Sequence, residues 1–359
     1  MAVGSADTTG AIGDARVVAG HRALLNASAS ALATPDSSIV AASSTPPCLI
    51  VNPRSFSASR GLAARATALA RSHGAEVVTV DSPDATRAAI AGILKRHQRQ
   101  VMLLAGDGTV CAIVDQLSNL PAGAWTPDLL VLPGGRTNLT AADLVPGGRA
   151  LPTLKRALLR AHEQRWDAAV EERCALRIEH AGAPLRHGFF FSAALIDSVI
   201  RECHQHRADL DQHGDLSTFG YLLRLAGRAM LGRSGLSCPS LQVDAGVCGA
   251  QNGPVRLLLA TTLLHRTGLF DPYAPRGQGE VRLTSVSRSA PHFWRTLPRL
   301  LTGRYTPAMN ADNGYLSGRC ERVQISGLAT YMLDGEPFDA DPTQPVTLSA
   351  GPRLRFIRP

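Results

Sequence analysis

Four short segments carry residue types that suit work on a phosphate and a hydroxyl. In Leu103-Leu104-Ala105-Gly106-Asp107-Gly108-Thr109 an apolar run meets a Gly-x-Gly turn and then a helical pattern. Glycine lets the backbone approach a ligand closely, and a helix N-terminus presents free N–H groups to an anion. Asp107 in that setting suits a metal ion or the proton of a hydroxyl better than a bare phosphate. Read alone, the segment also fits an ordinary strand-to-helix turn. It is not a Walker A loop, since no GxxxxGK[ST] occurs. It is not a dinucleotide fingerprint either, because Cys111 holds the third glycine position. The other three segments are Val51-Asn52-Pro53-Arg54-Ser55, Pro133-Gly134-Gly135-Arg136-Thr137-Asn138 and Asp334-Gly335-Glu336. The last, taken alone, is also a plain Asp-Gly hairpin turn.

Regular elements must hold these segments in place. Strands are expected at Cys48 to Val51, Glu76 to Val80, Gln100 to Ala105 and Leu129 to Leu132. Helices are expected over Gly61 to His73, Asp84 to Arg96 and Val110 to Leu120. Strand and helix alternating at this spacing predict a parallel sheet covered by helices. Ligands of such sheets sit beyond the carboxyl ends of the strands, where the first three segments lie. After about Trp166 short strand-like runs dominate: Ala175 to Ile178, Gly188 to Ser192, Val255 to Thr262, Val281 to Val286, Arg322 to Ser326, Val346 to Leu348 and Leu354 to Ile357. Helical stretches at Leu216 to Met230 and His292 to Leu301 interrupt them. This half reads as mostly antiparallel.

Together and in this order, the four segments resemble the diacylglycerol kinase catalytic-domain family, which includes sphingosine and ceramide kinases and bacterial lipid kinases. The family's NPxSG, GGDGT, PxGTxN and late DGE appear here as NPRSF, AGDGT, PGGRTN and DGE. The resemblance covers about residues 47 to 359. It implies an α/β N-terminal lobe, a parallel sheet with helices like that of NAD kinases and diacylglycerol kinases. A mostly antiparallel, β-sandwich-like C-terminal lobe would carry the lipid site. The corresponding division is a disordered tail (1–45), a nucleotide-binding lobe (46–165) and a β-rich lipid lobe (166–359).

The resemblance further implies ATP-dependent phosphorylation of a lipid hydroxyl with Mg²⁺. Asn52 and Thr79 fall on nucleotide-contacting positions. Ala105, Gly106, Asp107, Gly108 and Thr109 fall on the phosphate loop, and Gly135, Thr137 and Asn138 on the third loop. Asp334 and Glu336 fall on the acidic pair held to give the metal site or base, so Asp107, Asp334 and Glu336 are the expected catalytic and metal-binding set. Phosphoryl transfer needs positioning and charge neutralisation more than covalent help, which these types supply. Asp107 and Glu336 are both candidates for the base, with Asp107 preferred as base or base-orienter and Glu336 as metal ligand. Ala105, Phe56 and Arg136 depart from the family pattern. Arg136 either binds phosphate or points to solvent. The segment Arg276 to Arg282 stands where some bacterial members carry an aspartate-rich structural Mg²⁺ site; its aspartates are missing, so no such ion is expected there. The rival readings are an NAD kinase and a catalytically inactive lipid- or nucleotide-binding relative.

Composition narrows the partners. Of 37 basic residues only Lys95 and Lys155 are lysine, leaving 35 arginines, and the formal charge is +8. That balance favours anionic partners: phosphates, nucleotides or an acidic membrane surface. Lysine-rich tails of the nucleic-acid type are absent. The longest apolar run, Leu257 to Leu264, is far short of the ~18 residues of a span. No secretory signal is read at the N-terminus. Seven cysteines without CxxC fit a reducing cytosol. The expected setting is cytoplasmic, with peripheral membrane association, a lipid substrate and no nucleic acid; nothing in the sequence fixes an oligomeric state. Two features are secondary. Cys203, His204, His206 and His213 cluster beside Asp209 and Asp211 at no zinc spacing. The apolar stripes at Phe219, Leu222, Leu223, Ala226 and Met230 and at Phe293, Trp294, Leu297, Leu300 and Leu301, each flanked by arginine, fit either core-facing helices or a membrane-docking face.

Overall fold

Strands β1 (Cys48–Val51), β3 (Gln100–Ala105) and β4 (Asp128–Pro133) are nearly continuous apolar runs, and almost every residue in them is buried. Side chains on both faces of such strands need cover, which a parallel sheet between helices provides. The computed structural model describes residues 45–358 except 56–57, 59–60, 136–137, 146–147, 168–169, 195–237 and 265–270. The N-terminal tail, the helix expected at 216–230 and the Cys/His cluster at 203–213 therefore lie outside the described residues.

From Thr45 onward the chain forms one compact unit. Helix α1 (Leu62–Ser72) leads to β2 (Glu76–Thr79), and α2 (Pro83–Lys95) leads to β3. Ser82 caps α2: its hydroxyl accepts the Ala85 N–H at 3.2 Å, and Pro83 opens the first turn. Helix α3 (Asp107–Ser118) leads to β4, and α4 (Leu139–Leu144) and α5 (Ala150–His162) follow. Strands β2, β1, β3 and β4 pair in that order, all parallel. The first-half strands match the sequence reading to within a residue or so. Helix α3 starts three residues earlier than expected: Asp107, Gly108 and Thr109 form its first turn rather than a loop before it. Asp107 at the helix N-terminus complements the positive end of the dipole, which favours that start.

The second half is antiparallel apart from one return. It comprises β5 (Val170–His180), β6 (Arg186–Gly188), β7 (Phe190–Ala194), β8 (Ser240–Asp244), β9 (Ala250–Thr261), β10 (Val281–Ser287), α6 (Phe293–Leu301), β11 (Tyr315–Cys320), β12 (Arg322–Ser326), β13 (Thr330–Leu333), β14 (Glu336–Asp339) and β15 (Val346–Ile357). The runs read as two strands at 346–348 and 354–357 are one strand with an irregularity between Ala350 and Arg353. There a Cβ on Gly351 would lie 3.0 Å from the Ala175 carbonyl oxygen, so the two backbones approach closely. The end of β15 pairs in parallel with β4, through Arg355 opposite Asp128. The last strand thereby extends the first sheet, and Leu354, Phe356 and Ile357 join the core built on β1, β3 and β4.

Helix α3 lies between two cores. Val110, Ile113 and Val114 face the α/β core, while Cys111 belongs to the core of the antiparallel half. One helix thus carries the Asp107 segment and touches both halves. Among the described residues no helix is long and apolar enough to cross a membrane.

Candidate active site

Three of the four segments meet at the N-terminus of α3 through named bonds. The Asn52 amide donates to the Thr109 hydroxyl at 2.8 Å, which ties the first segment to the second. The Ser55 hydroxyl accepts the Gly106 N–H at 2.8 Å. The Asn138 N–H donates to Asp107 Oδ2 at 2.9 Å, which brings in the third. Asn138 adopts a left-handed conformation (φ 51°), and its side chain closes the turn. Its Oδ1 accepts Gly135 N–H at 2.7 Å, and its Nδ2 donates to the Gly135 carbonyl at 2.9 Å. Glycine is required at position 135, because a Cβ there would lie 2.9 Å from the Cα of Gly106.

The fourth segment arrives from the other half. Asp334 and Gly335 form a two-residue turn between β13 and β14, both with positive φ (48° and 87°). That is the left-handed pair of a type I′ hairpin, which Asp-Gly favours. The hairpin reading of this segment is therefore realised. Glu336, just after the turn, leans on the first turn of α3: a Cβ on Gly108 would be 2.4 Å from its Oε1.

Asp334 has a setting different from the one expected of a metal ligand. It is buried. Its Oδ2 accepts Phe189 N–H at 2.9 Å and its Oδ1 accepts Phe190 N–H at 2.8 Å. Both oxygens are thus engaged by β7 and the residue before it, and the carboxylate anchors the hairpin. Burial, helped by the charge of Asp107, pushes its pKa up to about 7 against the lowering effect of the two N–H groups. Thr79 stands apart from the cluster. It ends edge strand β2 at the correct end of the sheet and is exposed, opposite Val51 in register. Thr137 and Arg136 lie outside the described residues. Ala105 is buried at the end of β3.

Residues not singled out by the sequence complete the surroundings. Asp107, Cys111 and Asp115 are spaced four apart, so they share one face of α3, and that spacing was there to be read. Burial, and then the charge of nearby Asp334, raises the Cys111 thiol well above its ordinary value, and its S–H donates to the His187 carbonyl oxygen at 3.7 Å. The Asp115 carboxylate accepts the His187 N–H at 2.7 Å, so α3 also grips β6. Ser55 is a further contact that the NPRS segment itself signalled.

The arrangement suits a polyphosphate and a divalent cation. Gly106, Gly108 and Gly135 let Ser55, Glu336 and the neighbouring backbone close up around the first turn of α3, whose positive dipole end favours an anion. Asp107, Asp115, Asp334 and Glu336 make the neighbourhood of Cys111 acidic. Among the described residues no three acidic, His or Cys side chains form a metal cage by themselves. A Mg²⁺ ion fits such a site, since it is usually held by one or two carboxylates together with substrate phosphates.

This geometry agrees with the comparison of the chain with protein families. Residues 46–170 match the family model of the diacylglycerol kinase catalytic domain. The resemblance read from the short segments holds over that stretch, and the late Asp334-Gly335-Glu336 turn lies beyond it. No curated protein matches the chain. Among solved structures, a diacylglycerol kinase from Bacillus anthracis str. Sterne superposes with a TM-score of 0.56 at 12 % identity, over 88 % of this chain and 97 % of that one. Another chain from that organism, named for the same activity, gives 0.60 at 14 % over the same shares. At these identities the likeness establishes the fold: a diacylglycerol-kinase-like α/β lobe followed by a mostly antiparallel, strand-rich region. The signature of the diacylglycerol kinase catalytic domain is carried by residues 46–170.

The Asp334 anchor predicts a pH signature. Between its ordinary value of 3.8 and about 7, the folded chain holds a proton that the unfolded chain has released. Its contribution to stability is therefore full at the acid end and is lost as pH rises to about 7, by up to about 1.4 kcal/mol per pH unit. Denaturant unfolding of wild type and Asp334→Asn, without divalent cation, measures this. The stability difference, wild type minus variant, is expected to shrink as pH rises through that window. Parallel pH profiles would contradict the assignment.

Proposed function

We propose that the chain is an ATP-dependent lipid kinase. It transfers the γ-phosphate of ATP to the free hydroxyl of a long-chain lipid, diacylglycerol or a ceramide or sphingoid lipid, at a membrane surface. The observation that carries this reading is the contact of Glu336 with Gly108. It brings an acid from the far half of the chain onto the helix start that would cradle the phosphates.

In this reading the first turn of α3 and the Gly135 turn bind the phosphates, and Asn52 and Thr109 set the loop that faces the nucleotide. Thr79 and Thr137 keep the nucleotide-contacting roles that the family resemblance gives them. Asp107, oriented by the Asn138 N–H, accepts the proton of the lipid hydroxyl as it attacks. Glu336, with Asp107, would hold Mg²⁺, which would supply positive charge to the phosphate oxygens. Asp334 is a positioning residue that holds the hairpin carrying Glu336. The NPRS start and the late DGE favour a lipid over NAD as acceptor. The membrane setting follows from the substrate, whose exposed chains would cost about 0.8 kcal/mol per CH₂ in water.

Label transfer from γ-labelled ATP to a panel of diacylglycerol, ceramide, sphingosine, monoacylglycerol, undecaprenol and NAD tests the reading. The label is expected in diacylglycerol or in a sphingoid lipid. Label in NAD alone would overturn it.

A further inference from the structure

We infer that the outer face of α6 and its flanks dock the protein on an anionic phospholipid bilayer. This inference rests on the lipid-kinase reading for its purpose, though not for its test. Residues 281–311 contain five arginines, one histidine and no acid. Arg288, His292, Arg295, Arg299 and Arg304 are exposed. Among the described residues Arg288, Arg295, Arg299 and Arg304 take part in no ion pair, whereas Arg282 pairs with Asp271 and Arg353 with Glu280. Arg295 and Arg299 are four apart on one helical face, where like charges repel each other. An anionic surface laid across that face would relieve the repulsion.

The inner face of α6 belongs to the protein. Phe293 and Leu300 are buried in an apolar cluster with Leu257 and Leu259, and the Thr296 hydroxyl meets the Tyr315 hydroxyl at 2.8 Å. For this helix the core-facing reading of the stripe therefore holds, and docking must be electrostatic, through the opposite side. Two further features favour a bilayer over another polyanion. Trp294 is half-buried at the edge of the helix, with the Arg256 guanidinium 5.8 Å from its ring centroid. An amphipathic ring next to arginine suits the headgroup level. The cluster beneath α6 also includes Phe190, whose N–H holds Asp334. The charged face thus lies one apolar cluster away from the hairpin that carries Glu336, where acyl chains would need cover.

The test is sedimentation of the full chain with vesicles of phosphatidylcholine, alone or mixed with phosphatidylglycerol. Wild type is expected to bind the mixed vesicles and to lose them as salt rises. The double variant Arg295→Glu/Arg299→Glu should bind at least ~10-fold more weakly. Arg295→Lys/Arg299→Lys, which keeps the charge, should bind as wild type does. Equal binding by wild type and the Glu variant would overturn the inference. So would wild-type indifference to phosphatidylglycerol, or retention of duplex DNA in preference to the vesicles. Turnover of a short-chain soluble diacylglycerol, expected to be the same in wild type and the Glu variant, is read separately. If no lipid is phosphorylated while the vesicle result stands, the kinase reading fails and the docking face survives.

Discussion

Asparagine in place of Asp107 is expected to lower turnover by at least ~100-fold, the low end for loss of a general base, while leaving the protein folded. The substitution keeps the shape of the side chain, and its Oδ1 can still accept the Asn138 N–H that now meets Asp107 Oδ2 at 2.9 Å. It removes the charge. At the first position of α3 that charge also complements the helix dipole, an effect of only about 0.3–1 kcal/mol. A small change in stability with a large change in turnover separates chemistry from folding. Measuring kcat beside a thermal midpoint checks both. Near-wild-type kcat in folded protein would remove Asp107 from the reaction.

Alanine at Gly108 is expected to move activity and stability in opposite directions. Within a helix alanine is favoured over glycine by roughly 1 kcal/mol, so the thermal midpoint should stay or rise. Yet the new methyl would stand 2.4 Å from Glu336 Oε1 and 3.2 Å from its Cδ. Glu336 is exposed and sits at the end of a hairpin turn, so its side chain can swing aside at little cost. A carboxylate displaced by ~1 Å loses its alignment, and misplacement of that size costs up to about 100-fold. The expected result is a fall in kcat of at least ~10-fold in a protein no less stable than wild type. Unchanged kcat would show that the position of Glu336 is irrelevant to turnover.

The first half of the fold was legible because its strands are buried on both faces. Leu103, Leu104 and Ala105, like Leu129 to Leu132, form runs with no polar break, and Ser82-Pro83 marks a helix start. Helix α5 was equally open to reading, since Ala150, Thr153, Leu154, Ala157 and Leu158 repeat at helical spacing. Several strands of the second half were not legible, each for a local reason. β14 reads Glu-Pro-Phe-Asp and shows no apolar alternation; it is a strand because the Asp-Gly turn folds it onto β13. β11 contains Gly318, which reads as a turn. A Cβ there would lie 3.0 Å from the Arg276 carbonyl oxygen, so the glycine serves a close backbone approach instead.

The site was legible as four segments but not as an assembly. Which oxygen holds which N–H depends on contacts between residues far apart in the chain. The family resemblance pairs Asp334 with Glu336 as one acidic set. The turn sends one carboxylate inward to Phe189 and Phe190 and leaves the other at Gly108. The parallel pairing of β15 with β4 joins Arg355 to Asp128, and no local pattern announces a partner at that separation.

The central claim is that phosphate leaves ATP for a lipid hydroxyl at the α3 start. The most direct measurement is the ratio of ADP formed to lipid phosphomonoester formed, read together in one reaction with Mg²⁺ and diacylglycerol or ceramide in mixed micelles. The account predicts one ADP per lipid phosphate for wild type, with both products falling together in Asp107→Asn. ADP released without lipid phosphate, or phosphate found on NAD and on no lipid, would contradict it.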